Sequence, residues 1–125
     1  MTGVEVLIVD DDADIRAMLG FALGDEFTLR FASNGTDALE ALAEDPPDAM
    51  LLDLMMPTID GFDVLELRRD RGLAPHTKVL MLTCSSAEAD LTRAWALGAD
   101  GHLVKPIDPD EIAVRLRAQL AVTPA

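Results

Sequence analysis

Cysteine is almost missing from this chain. Cys84 is the single one, so no intramolecular disulfide can form and a cysteine-based zinc cage is excluded. Basic residues are scarce as well: ten lysines and arginines stand against twenty-three acids, a net charge of −13. That balance argues against direct binding to nucleic acid or to an anionic membrane surface, and favours partners that are cationic, neutral-faced or bridged by metal. No apolar run approaches the ~20 residues needed to cross a bilayer. The start, Met1-Thr2-Gly3, lacks the basic and apolar segments of a signal peptide, so a soluble cytoplasmic protein is expected. Internal repeats, low-complexity stretches and interior linkers are missing too. A length of 125 residues fits one domain with a substantial core and leaves no room for a second.

What the chain does have is apolar order. Five short runs rich in Val, Leu and Met, residues 4–9, 27–32, 49–54, 78–83 and 101–105, read as strands. Between them apolar residues recur at helical spacing: Ile15, Met18, Leu19 and Ala22; Ala38, Leu39 and Leu42; Leu91, Ala94, Trp95 and Gly98. Ser85 with Glu88, and Asp108 with Glu111, have the spacing of capping boxes, and Pro109 takes a first helical position. In the last helix Ile112, Leu116 and Leu120 share a face while Arg115 and Arg117 point elsewhere. Alternating strands and helices predict a doubly wound α/β domain, a parallel sheet with helices on both faces and right-handed crossovers. The first, third and fourth runs are nearly continuous in apolar residues, as strands buried on both faces are. The second, Phe27-Thr28-Leu29-Arg30-Phe31, alternates and belongs at an edge.

Asp53 breaks the most apolar stretch, residues 49–57. An ionised carboxylate in such surroundings is disfavoured unless paired, hydrogen-bonded or metal-bound; the bland reading is a solvated acid at a strand end or a helix N-cap. In parallel α/β sheets ligands bind beyond the carboxyl ends of the strands. Those ends carry Asp10-Asp11-Asp12, Asp53, Thr83 and Lys105-Pro106. Clustered carboxylates repel and need a positive charge; with oxygen ligands only, Mg2+ or Mn2+ suits them better than zinc. Asp12 is better read as the N-cap of the first helix, which leaves Asp10 and Asp11 as the metal pair. Lys105, hemmed in by Leu103, Val104 and Pro106, is expected to turn toward the acids, although it and Thr83 also read as ordinary strand-end residues.

Leu7-Ile8-Val9 leading into Asp10-Asp11, Leu52-Asp53-Leu54-Met55-Met56-Pro57 with Asp60-Gly61, Leu82-Thr83, Gly98-Ala99-Asp100 and Val104-Lys105-Pro106 together resemble the receiver domain of two-component response regulators. The resemblance covers essentially the whole chain, residues 1–125, with 121–125 as a tail or the start of a linker. It implies a flavodoxin-like sheet of order 2-1-3-4-5 with five helices, and a phosphorylation-dependent signalling switch, not a turnover enzyme. Asp53 would accept a phosphoryl group from a phosphohistidine of a histidine kinase or histidine phosphotransfer protein. Asp10, Asp11, Asp53 and the main-chain carbonyl of Met55 would hold Mg2+ (Mn2+ as substitute), and Lys105 and Thr83 would bind the phosphoryl oxygens. Movement of Thr83 and of the residue at 102 would remodel the fourth helix, fifth strand and fifth helix to control an output partner or domain, and phosphorylation would favour a homodimer through the last two helices.

His102 departs from the pattern, which usually has Tyr or Phe there; a weaker or pH-sensitive coupling is expected. Cys84 is read as a small packing residue and Trp95 as part of helix packing. Two rival readings are a magnesium-dependent phosphohydrolase and a receiver-like module that is never phosphorylated. Met55 stands where the hydrolases usually carry a second acid, and the intact acid pair, Thr83 and Lys105 argue against the second rival.

Overall fold

The computed structural model describes residues 3–84 and 86–121. Strands β1 (Glu5–Val9), β2 (Thr28–Ala32), β3 (Ala49–Asp53), β4 (Lys78–Thr83) and β5 (Gly101–Val104) alternate with helices α1 (Ala13–Leu23), α2 (Gly35–Glu44), α3 (Gly61–Arg71), α4 (Glu88–Ala96) and α5 (Pro109–Ala121). The five strands form one parallel sheet in the order β2-β1-β3-β4-β5, the expected doubly wound topology. β2 lies at an edge as its alternation required, with Phe31 48% exposed. β3 is buried at all of its positions, which the sheet's two helical layers make possible.

Side-chain parity divides the core. Leu7, Val9, Met50, Leu52, Val79 and Met81 face α2, α3 and α4 through Leu39, Leu42, Phe62, Leu65 and Ala94. Val6, Ile8, Leu51, Leu80 and Leu82 face α1 and α5 through Leu19, Leu23, Ile112 and Leu116. The last helix turns the expected face inward. In α1 the buried stripe runs through Leu19 and Leu23, whereas Ala22 is exposed, one step away from the expected pattern.

The caps are local chemistry. Asp12 accepts the Asp14 N–H at 2.8 Å, as expected of an N-cap. Asp108 accepts from Asp110 N–H at 2.9 Å. A capping box joins Asp60 and Asp63, and Asn34 caps α2 by accepting from Asp37 N–H. Ser85 lies outside the described residues; α4 begins at Glu88, with Ala87 as its N-cap and no side-chain hydrogen bond there. Gly98 lies beyond the end of that helix, at φ 106°. The expected tail falls, apart from the last helical residue, outside the described residues. Among the described residues no helix is long and apolar enough to cross a membrane.

Gly61 fixes how closely α3 approaches the end of β3. A Cβ there would lie 2.7 Å from the Asp53 carbonyl oxygen and 2.8 Å from Leu54 Cα, distances that backbone atoms cannot relieve cheaply. Gly61→Ala is therefore expected to destabilise the domain by about 1–3 kcal/mol, the usual cost of overpacking, seen in urea unfolding as a lower midpoint with an unchanged slope. An unchanged midpoint would show that the close approach has slack.

Candidate functional site

Strand register assembles the site. Val9 pairs with Leu52, so Asp10 and Asp53, each one step further along, emerge side by side from the two central strands. Asp53 also pairs with Leu82, which puts Thr83 one residue beyond it. All three are buried: Asp10 is 0%, Asp53 2% and Thr83 1% exposed. Lys105 follows β5 and reaches across the sheet end, its Nζ 3.3 Å from both Asp10 Oδ2 and Asp53 Oδ1. The ammonium expected to turn toward the acids thus sits between two of them.

Backbone groups hold the carboxylates in place. Asp10 Oδ1 accepts the Asp12 N–H at 2.9 Å and Asp53 Oδ1 accepts the Met55 N–H at 3.2 Å. Arg16 donates to the Asp10 carbonyl at 2.7 Å, pinning the first turn of α1 to the loop. Arg16 was not singled out in the sequence, because a contact six residues away across a helix start has no local signature. Asp11 is exposed. Its carboxylate and those of Asp10 and Asp53 each offer an oxygen, and these oxygens all lie within 4.8 Å of one another. An all-carboxylate set of this kind fits a hard divalent cation.

The electrostatics follow from burial. Desolvation, and secondarily the Asp10 charge, push the Asp53 pKa from 3.8 up to about 6, against the pull of Lys105 and the Met55 N–H. For Lys105, burial acts to lower the pKa, but the charges of Asp53 and Asp10 and their hydrogen bonds outweigh it and hold the ammonium above its usual range. One ammonium leaves the two buried carboxylates with an excess of negative charge, which a bound cation relieves.

The neighbouring residues differ from expectation in two places. Cys84 is exposed, not packed, since the chain leaves the sheet at Thr83. Trp95 is 53% exposed, so it is not a packing residue of α4; Ala94 is the side chain that helix buries. His102 is half-buried on β5, paired with Met81.

Comparison with known proteins places these features in a family. The response regulator receiver domain family matches residues 6–117. The DNA-binding response regulator MtrA of Mycobacterium tuberculosis is 40% identical over 117 residues, covering 92% of this chain and 50% of that protein. Response regulator MprA of the same species is 36% identical over 121 residues, covering 96% of this chain and 52% of that protein. The chain thus spans about half the length of these curated relatives. Among solved structures, the chemotaxis protein CheY4 of Vibrio cholerae superposes with a TM-score of 0.87 at 30% identity, covering 94% of this chain and 98% of that one. A putative response regulator from Chloroflexus aurantiacus gives 0.87 at 32% identity, covering 96% and 99%.

The raised Asp53 pKa has a signed consequence in metal-free protein. Ionising this group costs more in the folded than in the unfolded chain, so its contribution to stability is fully present below pH 3.8 and lost as pH rises through about 6. Asp53→Asn removes the cost. With a chelator present, thermal unfolding is expected to show a stabilised variant at pH 8, by on the order of 1–3 kcal/mol, and a smaller gain at pH 5. A gain that is larger at pH 5, or none at pH 8, contradicts this origin of the shift.

Proposed function

This chain belongs to the response regulator receiver domain family, a signalling domain, and from that premise we propose that it is a phosphorylation-dependent switch of a two-component system, working in the cytoplasm, with Asp53 as phosphoacceptor. The observation that carries this reading is the Lys105 ammonium at 3.3 Å from both Asp10 and Asp53 at the buried strand ends. It supports the reading because a cation held by two acids can be handed to a phosphoryl oxygen when one of the acids is modified.

In the proposed reaction an Asp53 carboxylate oxygen forms a bond to phosphorus while the phosphorus–nitrogen bond of a phosphohistidine breaks. The bonding pair returns to the imidazole of a histidine kinase or histidine phosphotransfer protein, and an acyl phosphate results. Asp10, Asp11, Asp53 and the Met55 carbonyl would hold Mg2+, or Mn2+ in its place, which supplies positive charge opposite the transferring group. Lys105 keeps its proton throughout and passes from the carboxylate pair to a phosphoryl oxygen. The Thr83 hydroxyl, one residue beyond the partner of Asp53, donates to another. The protein's own share is positioning, with side chains fixed on strand ends and few steps of proton transfer.

Thr83 and His102 connect this event to the surface. Both share the strand parity of Val79 and Met81, the residues that face the α3 and α4 layer. A Thr83 displaced toward the phosphoryl group and a reoriented His102 bias the packing of α4, β5 and α5, a population shift in a two-state element. Trp95 and Val104, 53% and 40% exposed, lie on those elements where an output domain, a separate partner or a second copy would read the change. The charge of −13 makes this domain itself an unsuitable surface for nucleic acid, so any such output belongs to another domain.

Intact mass spectrometry tests the acceptor. With magnesium and a small phosphodonor, the protein should gain about 80 Da, one phosphoryl group. A chelator or Asp53→Asn should abolish the gain; an adduct that persists in Asp53→Asn refutes the assignment. The switch is tested through His102→Tyr. If an imidazole reads the switch, the phosphorylation-dependent change in amide NMR shifts over 88–121 should vary between about pH 6 and 8, where imidazoles titrate, and lose that variation in His102→Tyr. Identical pH behaviour in the two proteins removes His102 from the switch.

A further inference from the structure

The end of the sheet opposite Asp53 carries a cavity lined by charged side chains. In a chain with twenty-three acids, Arg68, Arg71 and Lys78 form an ion pair with none of them among the described residues, as is also true of Arg16, Arg93 and Arg115, whereas Arg30, Arg69, Lys105 and Arg117 each do. Arg68, His76 and Lys78 converge on one cavity of about 380 Å³, together with Asp100. Asp100 offsets one of the two fixed cations, and its Oδ2 is already engaged by the Val79 N–H at 2.8 Å. Arg68 itself is spent on main-chain carbonyls, those of Ala74 and Thr77 at 3.0 and 2.9 Å, and its buried Nε has no hydrogen-bond partner. Burial disfavours the Arg68 charge more than the nearby Asp100 carboxylate favours it, a cost that a further anion would offset.

Arg68 also lines an adjoining cavity of about 300 Å³ with a different character, floored by Leu73, Pro75, Ala96 and Leu97 between the ends of α3 and α4. The two cavities share Arg68, Pro75 and Gly98. An apolar pocket joined to a small number of convergent polar groups is the usual form of a small-molecule site.

The geometry points to a second ligand site at this pole, for a small organic oxyanion whose phosphate or carboxylate head lies among Arg68, His76 and Lys78 while its apolar body covers Leu73 and Leu97. The site is separate from the acid cluster: Lys78 begins β4 and Thr83 ends it, so the two lie on the order of 16 Å apart along the strand. Charge decides which ligand is admitted at which end. The acid cluster repels a free anion without a metal, whereas this cavity sets the fixed cations Arg68 and Lys78 against Asp100 alone.

Amide NMR titration at constant ionic strength, with a chelator present, tests this using phenyl phosphate and benzoate as probes and inorganic phosphate as the head alone. Saturable shifts are expected at residues 76–79 and 98–100 for at least one aromatic probe, with tighter binding than inorganic phosphate. Phenyl phosphate and benzoate distinguish the two possible heads. Lys78→Glu should weaken binding by about tenfold, the scale of one charge-assisted contact, and His76→Ala, at an exposed position, should weaken it in a protein whose spectrum is otherwise unchanged. Shifts that do not saturate for either aromatic probe, that are undiminished in both variants, or that are matched by inorganic phosphate at equal affinity overturn the site.

Discussion

Two carboxylates buried at the ends of central strands, and the partly exposed ammonium that reaches both from beyond the edge strand β5, set the terms for the rest of this molecule. Asp10 and Asp53 are almost wholly inaccessible, and their mutual repulsion is held by a single Lys105 drawn from the far side of the sheet. A buried ion group of this kind contributes little net stability and is severely penalised when its geometry fails. It therefore requires a stiff support, and the sheet supplies one. β1 and β3 are central, apolar and covered on both faces, and the carboxylates are further tied by main-chain N–H groups of their own loops.

That support has a cost in close packing. Gly61 allows α3 to start directly against the end of β3, with the Asp60–Asp63 capping box fixing the angle of entry. The same helix ends at the opposite pole in Arg68, Arg69 and Arg71, the cations that complement a helix C-terminus. α3 is thus a rigid strut between an acidic end and a basic end. The cation–π contact of Arg93 over Phe62, 4.1 Å from the ring centroid, fastens α4 to it beside the acidic end, where the proposed switch would have to be transmitted.

Much of this is legible in the amino-acid sequence. The strands and four of the helices announced themselves by their apolar pattern, α3 (Gly61–Arg71) did not, β2 showed its edge place by its alternation, the α1 cap showed in Asp12, and the metal-fitting acids in their place at strand ends. Trp95 and Cys84 were misjudged for one reason: period and composition reveal which residues share a face, but not how much of that face a neighbour covers. α4 is short and stands over the sheet near its β5 edge, so its stripe is buried at Ala94 and open at Trp95. α1 turns Leu23 inward in place of Ala22 because Leu19 and Leu23, four residues apart, share the face that packs on the sheet. Arg16 bonded to Asp10 and Arg68 bonded to two loop carbonyls depend on chain reversals that leave no spacing to read.

By itself the sequence determined the class of fold, the edge place of β2 and the chemical kinds of group at the strand ends, because these depend on local pattern and on residue type. The register that brings Asp10 beside Asp53, the reach of Lys105 to both, and the convergence of Arg68, His76 and Lys78 on one cavity at the other pole were decided only by the tertiary structure. Those are distances between residues dozens of positions apart, set by how a twisted sheet and its two helical layers close on one another, and no single segment encodes them.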